Sequence, residues 1–393
     1  MPKAEPIVIA SAARTPMGGF LGDLRDFSAP ALGAKAIGAA LQRAGMEGAD
    51  VDEVLMGCVL PAGQGQAPAR QASLGAGVPI GVGATTINKM CGSGMKAAML
   101  AHDLIRAGSA EIVVAGGMES MSNAPYLLDR ARAGYRMGHG KVVDSMFLDG
   151  LEDAYDKGRL MGTFAEDCAE AYQFTRAAQD SFALASLERA NRAIRSGEFA
   201  SEIVAVTANK GVEVSTDEQP PKARPDKIPT LRPAFRDGGT VTAANSSSIS
   251  DGAAALILTG EGEAERRGTT PLARIVGHAT FAAEPAKFPT APIGAIRKLL
   301  EKVGWSAEHV DLWEINEAFA VVAMAAMHDL ELPHEKVNVN GGACALGHPI
   351  GASGARILVT LIAALKARGL RRGVASLCIG GGEATAMAIE ALG

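Results

Sequence analysis

The sequence predicts an α/β fold made of two related βαβαβ halves with a longer segment inserted between them. Three observations predict it. Apolar strand candidates alternate with helical patterns along the chain. Glycine is abundant, with 47 residues, and aromatics are few at 4%, which suits helices packed close on a sheet. The order of elements in the first part also recurs in the last. A chain of 393 residues, 48% hydrophobic and 21% charged, has the material for a large core.

In order, Pro6 to Ala10 is a strand candidate, followed by a turn at Arg14-Thr15-Pro16 and a glycine-bearing loop to Asp26. From Ala31 the pattern is helical and stops at Ala44-Gly45, where glycine suits a C-cap. Val51 to Val59 reads as a second strand and Ala67 to Leu74 as a short helix. Cys91-Gly92-Ser93-Gly94-Met95 opens a helix running to Ala107, apolar on nearly every side, with Ala97, Leu100, Ala101 and Leu104 at helical spacing. Glu111 to Gly117 is then a buried strand ending in glycines. Later, Pro292 to Gly304 followed by Val310-Asp311 matches Gly33 to Gly45 followed by Val51-Asp52, at an offset of 259 positions. Gly351-Ala-Ser-Gly-Ala-Arg356 matches Cys91-Gly-Ser-Gly-Met-Lys96 at an offset of 260. Leu377-Cys378-Ile-Gly-Gly381 parallels Val113-Val-Ala-Gly-Gly117, and three matches in one register indicate an internal duplication.

The intervening segment, rich in charge, Met and Pro, predicts a lid with its own helices. Thr163-Phe-Ala-Glu166 has the form of a capping box, Thr175 to Arg195 is amphipathic, and Pro220 to Pro225 reads as an irregular loop. Asn245 to Leu258 returns the chain to the first core. The expected division is residues 1–118 plus 241–270 for the first half, 119–240 for the insertion and 271–393 for the second half.

Composition excludes several classes. A net charge of -5 provides no basic field for nucleic acid, and no apolar run is long enough to span a bilayer. The start, Met1-Pro-Lys-Ala-Glu-Pro6, carries neither a signal h-region nor an Arg-rich transit helix, so a cytoplasmic location is expected. Cys58, Cys91, Cys168, Cys344 and Cys378 are odd in number and scattered, against both a disulfide framework and a zinc site.

Four stretches carry candidate chemistry. Cys91, at a helix mouth beside glycines, is a candidate nucleophile whose thiolate the helix N-terminus favours; a packed core cysteine is the alternative. His348, in Gly347-His348-Pro349, is a candidate base in an exposed turn, with a structural histidine as the alternative. Cys378 ends an apolar strand before Gly380-Gly-Gly382, whose bare N–H groups suit an oxyanion, although a buried thiol at a tight turn fits too. Asn316, in Asn316-Glu-Ala-Phe319, follows a strand and suits a strand-end cap or a group that orients water. Pseudo-twofold packing of the halves brings the Cys91 and His348 turns together.

Asn88-Lys-Met-Cys91-Gly-Ser-Gly94, Asn316-Glu-Ala-Phe-Ala320, Gly347-His-Pro-Ile-Gly-Ala-Ser-Gly354 and Cys378-Ile-Gly-Gly-Gly382, in this order, resemble the thiolase family along essentially the whole chain. The resemblance implies a layered α-β-α-β-α core with an inserted loop domain. It implies reversible Claisen condensation of two acetyl-CoA to acetoacetyl-CoA plus CoA, through an acyl-cysteine on Cys91, with His348 accepting the thiol proton and Cys378 deprotonating the second acetyl-CoA. His348 with a water held by Asn316 is expected to steady the enolate, and the N–H groups of Cys91 and Gly380 the tetrahedral intermediate, each donor contributing about 3 kcal/mol. The same resemblance places CoA, a substrate and product rather than a tightly bound cofactor, under the insertion. Ser247 is expected at the pantetheine, Ala243, Phe235 and Phe319 along the tunnel, and Lys222 near the adenosine phosphate, with a solvated loop lysine as the alternative there.

Departures from the family pattern bear on specificity. Phe288 stands where many short-chain members carry methionine, and Leu160, before Met161, where many carry histidine. The acyl pocket is therefore expected to differ, and Phe288 resembles the variant that handles 2-methylacetoacetyl-CoA. Cys344 is expected as a small core filler. The implied partners are acetyl-CoA, acetoacetyl-CoA and CoA, with no nucleic acid, membrane, metal or redox cofactor, and a homotetramer formed through part of the insertion. Alternatives are a broader 3-ketoacyl-CoA thiolase and a non-catalytic acyl-CoA-binding scaffold. The scaffold is expected to have lost Cys91 or His348. A β-ketoacyl carrier-protein synthase shares the duplicated fold but pairs its cysteine with two histidines, where Cys378 stands here.

Overall fold

The computed structural model describes residues 5–392, with Lys210 by its backbone alone. The first four residues of the N-terminal stretch read above lie outside these. The first half builds five strands, β1 (Ile7–Arg14), β2 (Glu53–Gly57), β3 (Gly83–Ile87), β4 (Ile112–Ser120) and β5 (Ser250–Gly260), in the spatial order β1-β5-β4-β2-β3. The second half builds β6 (Ala273–Ala282), β7 (Leu312–Ile315), β8 (Arg372–Ile379) and β9 (Glu383–Ala391), in the order β6-β9-β8-β7.

The pairings repeat as well. β2 is parallel to β4 with Val54 opposite Val114, and β7 is parallel to β8 with Trp313 opposite Val374. β5 is antiparallel to β4 and β1, as β9 is to β8 and β6. Where β3 lies beside β2 in the first half, a single parallel bridge from Val337 to Trp313 stands beside β7 in the second. The duplicated strands β1 and β6 meet antiparallel, Val8 against Arg274 and Ile9 against Ala273, which joins the two halves into one continuous sheet.

Helices fill three layers. α1 (Ala29–Ala44) and α2 (Pro68–Gly75) cover the outer face of the first half through Leu32, Ile37 and Ala72 against Val54, Met56 and Val114. α3 (Ser93–Arg106) and its counterpart α8 (Ser353–Ala367) lie between the halves, packed on Leu55, Val113 and Leu256 on one side and Leu312, Leu377 and Met387 on the other. α6 (Ala291–Val303) and α7 (Ala320–Asp329) cover the outer face of the second half. The α-β-α-β-α expectation is thus the observed order of layers. α1 begins with Ser28 accepting from Ala31 N at 3.3 Å and ends on Gly45 at φ 66, a left-handed cap that suits glycine. No helix among the described residues is long and apolar enough to cross a membrane.

The structure departs from the sequence reading at four places. β3, Gly-Ala-Thr-Thr-Ile, has no apolar alternation because it is a half-exposed edge strand. The capping box at Thr163 does not form. In α4 (Met161–Ala171) Thr163 instead donates to Leu160 O at 2.8 Å, and Glu166 turns inward to accept from the amides of Thr240 and Val241 at 2.9 Å. Gln219–Lys222 forms one helical turn, because proline is tolerated in a first turn. Thr175 does cap α5 (Arg176–Ser196), accepting from Ala178 N at 3.1 Å.

The expected turn at Arg14 is the fourth. Arg14 is fully buried at the end of β1, paired with Asp217 at 2.7 Å and Glu202 at 2.8 Å, both from the inserted segment. Asp217 also accepts from Met17 N at 2.8 Å. These contacts tie the insertion to the first half. Arg14→Leu leaves two carboxylates buried without their cation, and a loss of about 3–5 kcal/mol is expected, measured as a lowered urea midpoint.

Candidate active site

Cys91 precedes α3 by two residues, in a turn whose preceding residue, Met90, has φ 46. A non-glycine residue rarely adopts that left-handed conformation, and it is held by local bonds: Lys89 N donates to Ser93 Oγ at 2.8 Å and Ser93 Oγ to Met90 O at 2.6 Å. The turn is fastened to the second half by an ion pair between Lys89 and Glu383. Gly92 is pressed against Ile379, so a side chain there has no room. The backbone N–H groups of Gly380 and of Cys91 itself lie near enough to Cys91 Sγ to favour its anion. Cys91 and Cys378 are close enough that a charge on one disfavours a charge on the other.

His348 reaches the same place through α8. A Cβ on Gly94 of α3 would lie 2.7 Å from Ala355 N, and Gly354 presses in turn on Met95, so the two helix N-termini touch through matched glycines. Ile350, two residues beyond His348, packs in one small cluster with Cys91, Leu60 and Met146. His348 is 6% exposed rather than in an open turn, because Ser248 and Ser250 lie against it; its N–H donates to Ser248 O at 3.1 Å and to Ser250 Oγ at 3.3 Å.

The imidazole is oriented by its surroundings. Ser353 Oγ donates to Pro349 O at 3.0 Å and lies 2.5 Å from His348 Nδ1, so the ring N–H at Nδ1 donates to that hydroxyl oxygen. Nε2 is then a bare acceptor, and it has no hydrogen-bond partner among the described residues. Asn316 Nδ2 lies 3.5 Å from Nδ1, and Asn316 Oδ1 accepts from Arg356 Nη2 at 3.4 Å. Arg356 is itself buried, 3.6 Å from Glu314.

Burial sets the charges. It pushes the Cys91 thiol up to about 11, only partly offset by the two N–H groups, and pushes Cys378 well above the usual thiol value. It also pulls His348 down to about 3, with the Arg356 guanidinium adding to the fall. Desolvation thus works against the thiolate that the helix N-terminus was expected to favour, and pushes both the thiol and the imidazole towards their neutral forms.

Glu119 organises this centre unannounced by any motif. Fully buried at the end of β4, it accepts from Val59 N at 2.9 Å and Leu60 N at 3.1 Å in the first half, and from Gly351 N at 2.9 Å in the second. Burial lifts its carboxyl to about 7. Glu317 holds the neighbouring loop, accepting from Ser186 Oγ at 2.7 Å, Asn338 Nδ2 at 2.8 Å and Cys344 N at 3.1 Å. Glu119 has no signal in the sequence beyond a charged residue next to a strand end, whereas Glu317 lies inside the Asn316-Glu-Ala-Phe-Ala320 motif.

The expected pocket residues fall on one side of this centre. Met161 Sδ would meet a Cβ on Gly380 at 3.6 Å, and Gly162 lies under the ring of Phe235. Phe235 stands edge-on to Phe319 at 5.9 Å, and Phe288 packs between Phe319 at 6.4 Å and Phe164 at 6.0 Å. Ser247 N donates to Ala318 O at 2.9 Å, beside Phe319. Behind it a cavity of about 250 Å³ is lined by Ala243, Ser248, Cys344, Leu231, Arg224 and Lys227 among others. Cys344 thus faces a cavity rather than filling a core. Lys222 is not among the lining groups: it is paired with Glu218 at 2.7 Å and Asp23 at 3.4 Å.

Comparison with known proteins agrees with this geometry. Residues 7–262 match the model of the thiolase N-terminal domain and residues 269–391 that of the thiolase C-terminal domain. A Rhizobium meliloti protein named acetyl-CoA acetyltransferase is 52% identical over 390 residues, covering 98% of this chain and 99% of its own. An Arabidopsis thaliana protein, acetyl-CoA acetyltransferase 2, is 52% identical over 393 residues, covering 98% and 97%. The crystal structure of the Bacillus anthracis acetyl-CoA acetyltransferase superposes with a TM-score of 0.97 at 45% identity, covering 100% of both chains. That of an Ascaris suum thiolase in complex with coenzyme A gives 0.94 at 41%, covering 99% of this chain and 100% of that one. With family models matched over both halves and relatives this similar along its whole length, the chain belongs to the thiolase family.

Proposed function

We propose that this protein is an acetyl-CoA C-acetyltransferase that condenses two acetyl-CoA to acetoacetyl-CoA and CoA, and runs the reverse thiolysis, by a ping-pong route through acetyl-Cys91. One observation carries the reading: the Gly380 amide and Cys378 lie close to Cys91, while the turn that bears His348 packs on the same nucleophile turn through Ile350.

The proton balance assigns the roles. Cys91 is neutral, so its proton passes to a base as sulfur attacks the thioester carbonyl, and the bare Nε2 of His348 takes it. The departing CoA sulfur needs a proton, and Cys378 supplies it, which leaves the thiolate that the second half-reaction requires. That thiolate removes the α-proton of the second acetyl-CoA. The carbanion attacks acetyl-Cys91, and the released Cys91 sulfur recovers its proton from His348. The Gly380 and Cys91 amides point at this sulfur, within reach of the tetrahedral oxyanion. His348 and Asn316 stand on the enolate side. Glu119 acts as a positioning residue, fixing Gly351 and so the His348 turn.

Coenzyme A, a substrate and product, is assigned to the cavity lined by Ala243 and Ser248, with its pantetheine arm running towards Ser247, Phe235 and Phe319. Arg224 and Lys227, which line the cavity where Lys222 does not, supply the positive charge for its phosphates. Phe288 and Met161 bound the acyl end, where the buried Phe288 ring favours short acyl groups and leaves 2-methylacetoacetyl-CoA the second substrate to compare. The division into residues 1–118 plus 241–270, 119–240 and 271–393 is supported by the repeated strand order. A place in acyl-CoA metabolism and a homotetramer are inferred from the family resemblance alone.

The direct test is loss of the acetoacetyl-CoA enolate absorbance on adding CoA; no consumption by purified protein sinks the assignment. Cys91→Ser is expected to lower turnover by about 1,000-fold or more and to give no acyl-enzyme in acetyl transfer, whereas Cys378→Ser still forms acyl-enzyme, at a reduced rate, and loses condensation. Equal loss of both steps in the two variants contradicts the division of labour.

The neutral resting thiol is testable separately. A thiol raised to about 11 is alkylated through its minor thiolate, so the iodoacetamide rate at Cys91 is expected to climb with pH from 6 through 10. A plateau already reached at neutral pH would mean a resting thiolate paired with imidazolium.

A further inference from the structure

At the far end of α3, His102 and Asp103 meet His278 of β6 across the boundary between the two halves. His102 Nδ1 lies 2.9 Å and His278 Nε2 3.0 Å from Asp103 Oδ1, and the two nitrogens are 3.3 Å apart. The rings stand edge to face, with centroids 5.0 Å apart. Both imidazoles are largely covered, at 15% and 11% side-chain exposure, while Asp103 is open on one side at 54%. Neither the acyl-transfer chemistry nor the CoA cavity uses these residues.

Zinc bound tetrahedrally at about 2.0–2.1 Å holds its ligand atoms about 3.3 Å apart. The three donor atoms form a triangle with edges of 2.9, 3.0 and 3.3 Å, within a few tenths of an ångström of one tetrahedral face. We propose that His102, Asp103 and His278 form a binding site for a divalent transition-metal ion of the zinc type, with the fourth position open to water on the exposed side of Asp103. Two nitrogens and one carboxylate oxygen are the donor set such ions take, and calcium or magnesium, which demand oxygen, are excluded by it. His102 Nδ1 and His278 Nε2 ligate through their lone pairs in the tautomers that carry the proton on the other ring nitrogen, so neutral imidazoles bind the ion without net proton release. The opposing charge is Lys302, whose Nζ donates to His278 O at 3.0 Å and which, with one carboxylate ligand, holds the affinity to a moderate level.

The site lies nine residues along α3 from Ser93, about 14 Å at 1.5 Å per residue, so the ion acts on the contact between the halves rather than on the reaction. The test uses the whole protein, stripped with chelator and titrated with zinc chloride by calorimetry and with cobalt chloride by absorbance. One equivalent is expected to bind, with ligand-field bands but no sulfur-to-cobalt charge-transfer band, and to raise the thermal midpoint by about 2 °C or more. His278→Gln and the surface-exposed variant Asp103→Asn are both expected to lose the binding and the thermal rise while keeping the thiolysis rate. No binding, equal binding by wild type and both variants, or a thiolate-type cobalt spectrum that places the ion on the cysteines would overturn the site.

Discussion

The structure depends on one contact, the meeting of two helix N-termini through Gly94 and Gly354. Neither position tolerates a Cβ, because each presses on the backbone of the opposite helix. That closeness brings the Cys91 turn of one half and the His348 turn of the other to a single point, and places the Cys378 strand end beside them. Gly57 and Gly117 add to it: a Cβ at either would run into Gly351 O. The matched Gly-Ser-Gly and Gly-Ala-Ser-Gly segments are thus a packing requirement first and a catalytic motif second.

Closeness brings dryness, and dryness sets the chemistry. A cysteine before a helix N-terminus has N–H groups to favour its anion, but burial here costs the anion more than two N–H groups return. The same burial strips the proton from His348. In the proposed mechanism the thiol and the imidazole become charged only by transferring a proton between them as the thioester arrives, the moment at which the preorganised amides of Gly380 and Cys91 gain most.

Around this dry centre, buried ionic groups hold the two halves and the insertion in register. Glu119 gathers amides from both halves, Arg14 binds two carboxylates of the insertion, and Arg356 stands between Glu314 and Asn316. Each has partners drawn from segments far apart in the chain. Removing one partner leaves a buried charge, so these contacts specify the arrangement more than they stabilise it.

The duplication was legible in the sequence because it rests on local patterns, helical periodicity, apolar strands and glycines at fixed offsets, whereas the layer order came from the family resemblance, and the structure brings the Cys91, Asn316, His348 and Cys378 segments to one region. The edge strand at Thr85 was not legible, since a half-exposed strand has no apolar stripe to reveal it. Nor were the destinations of Glu166, Arg14 and Lys222, because a charged side chain's partner is decided by what the fold brings near it, and the partners of Arg14 lie about 200 residues away. The sequence by itself determined which groups are chemically able to act. Only the tertiary structure decided their protonation, because a pKa depends on how much water burial removes, and that is a property of the whole packed chain.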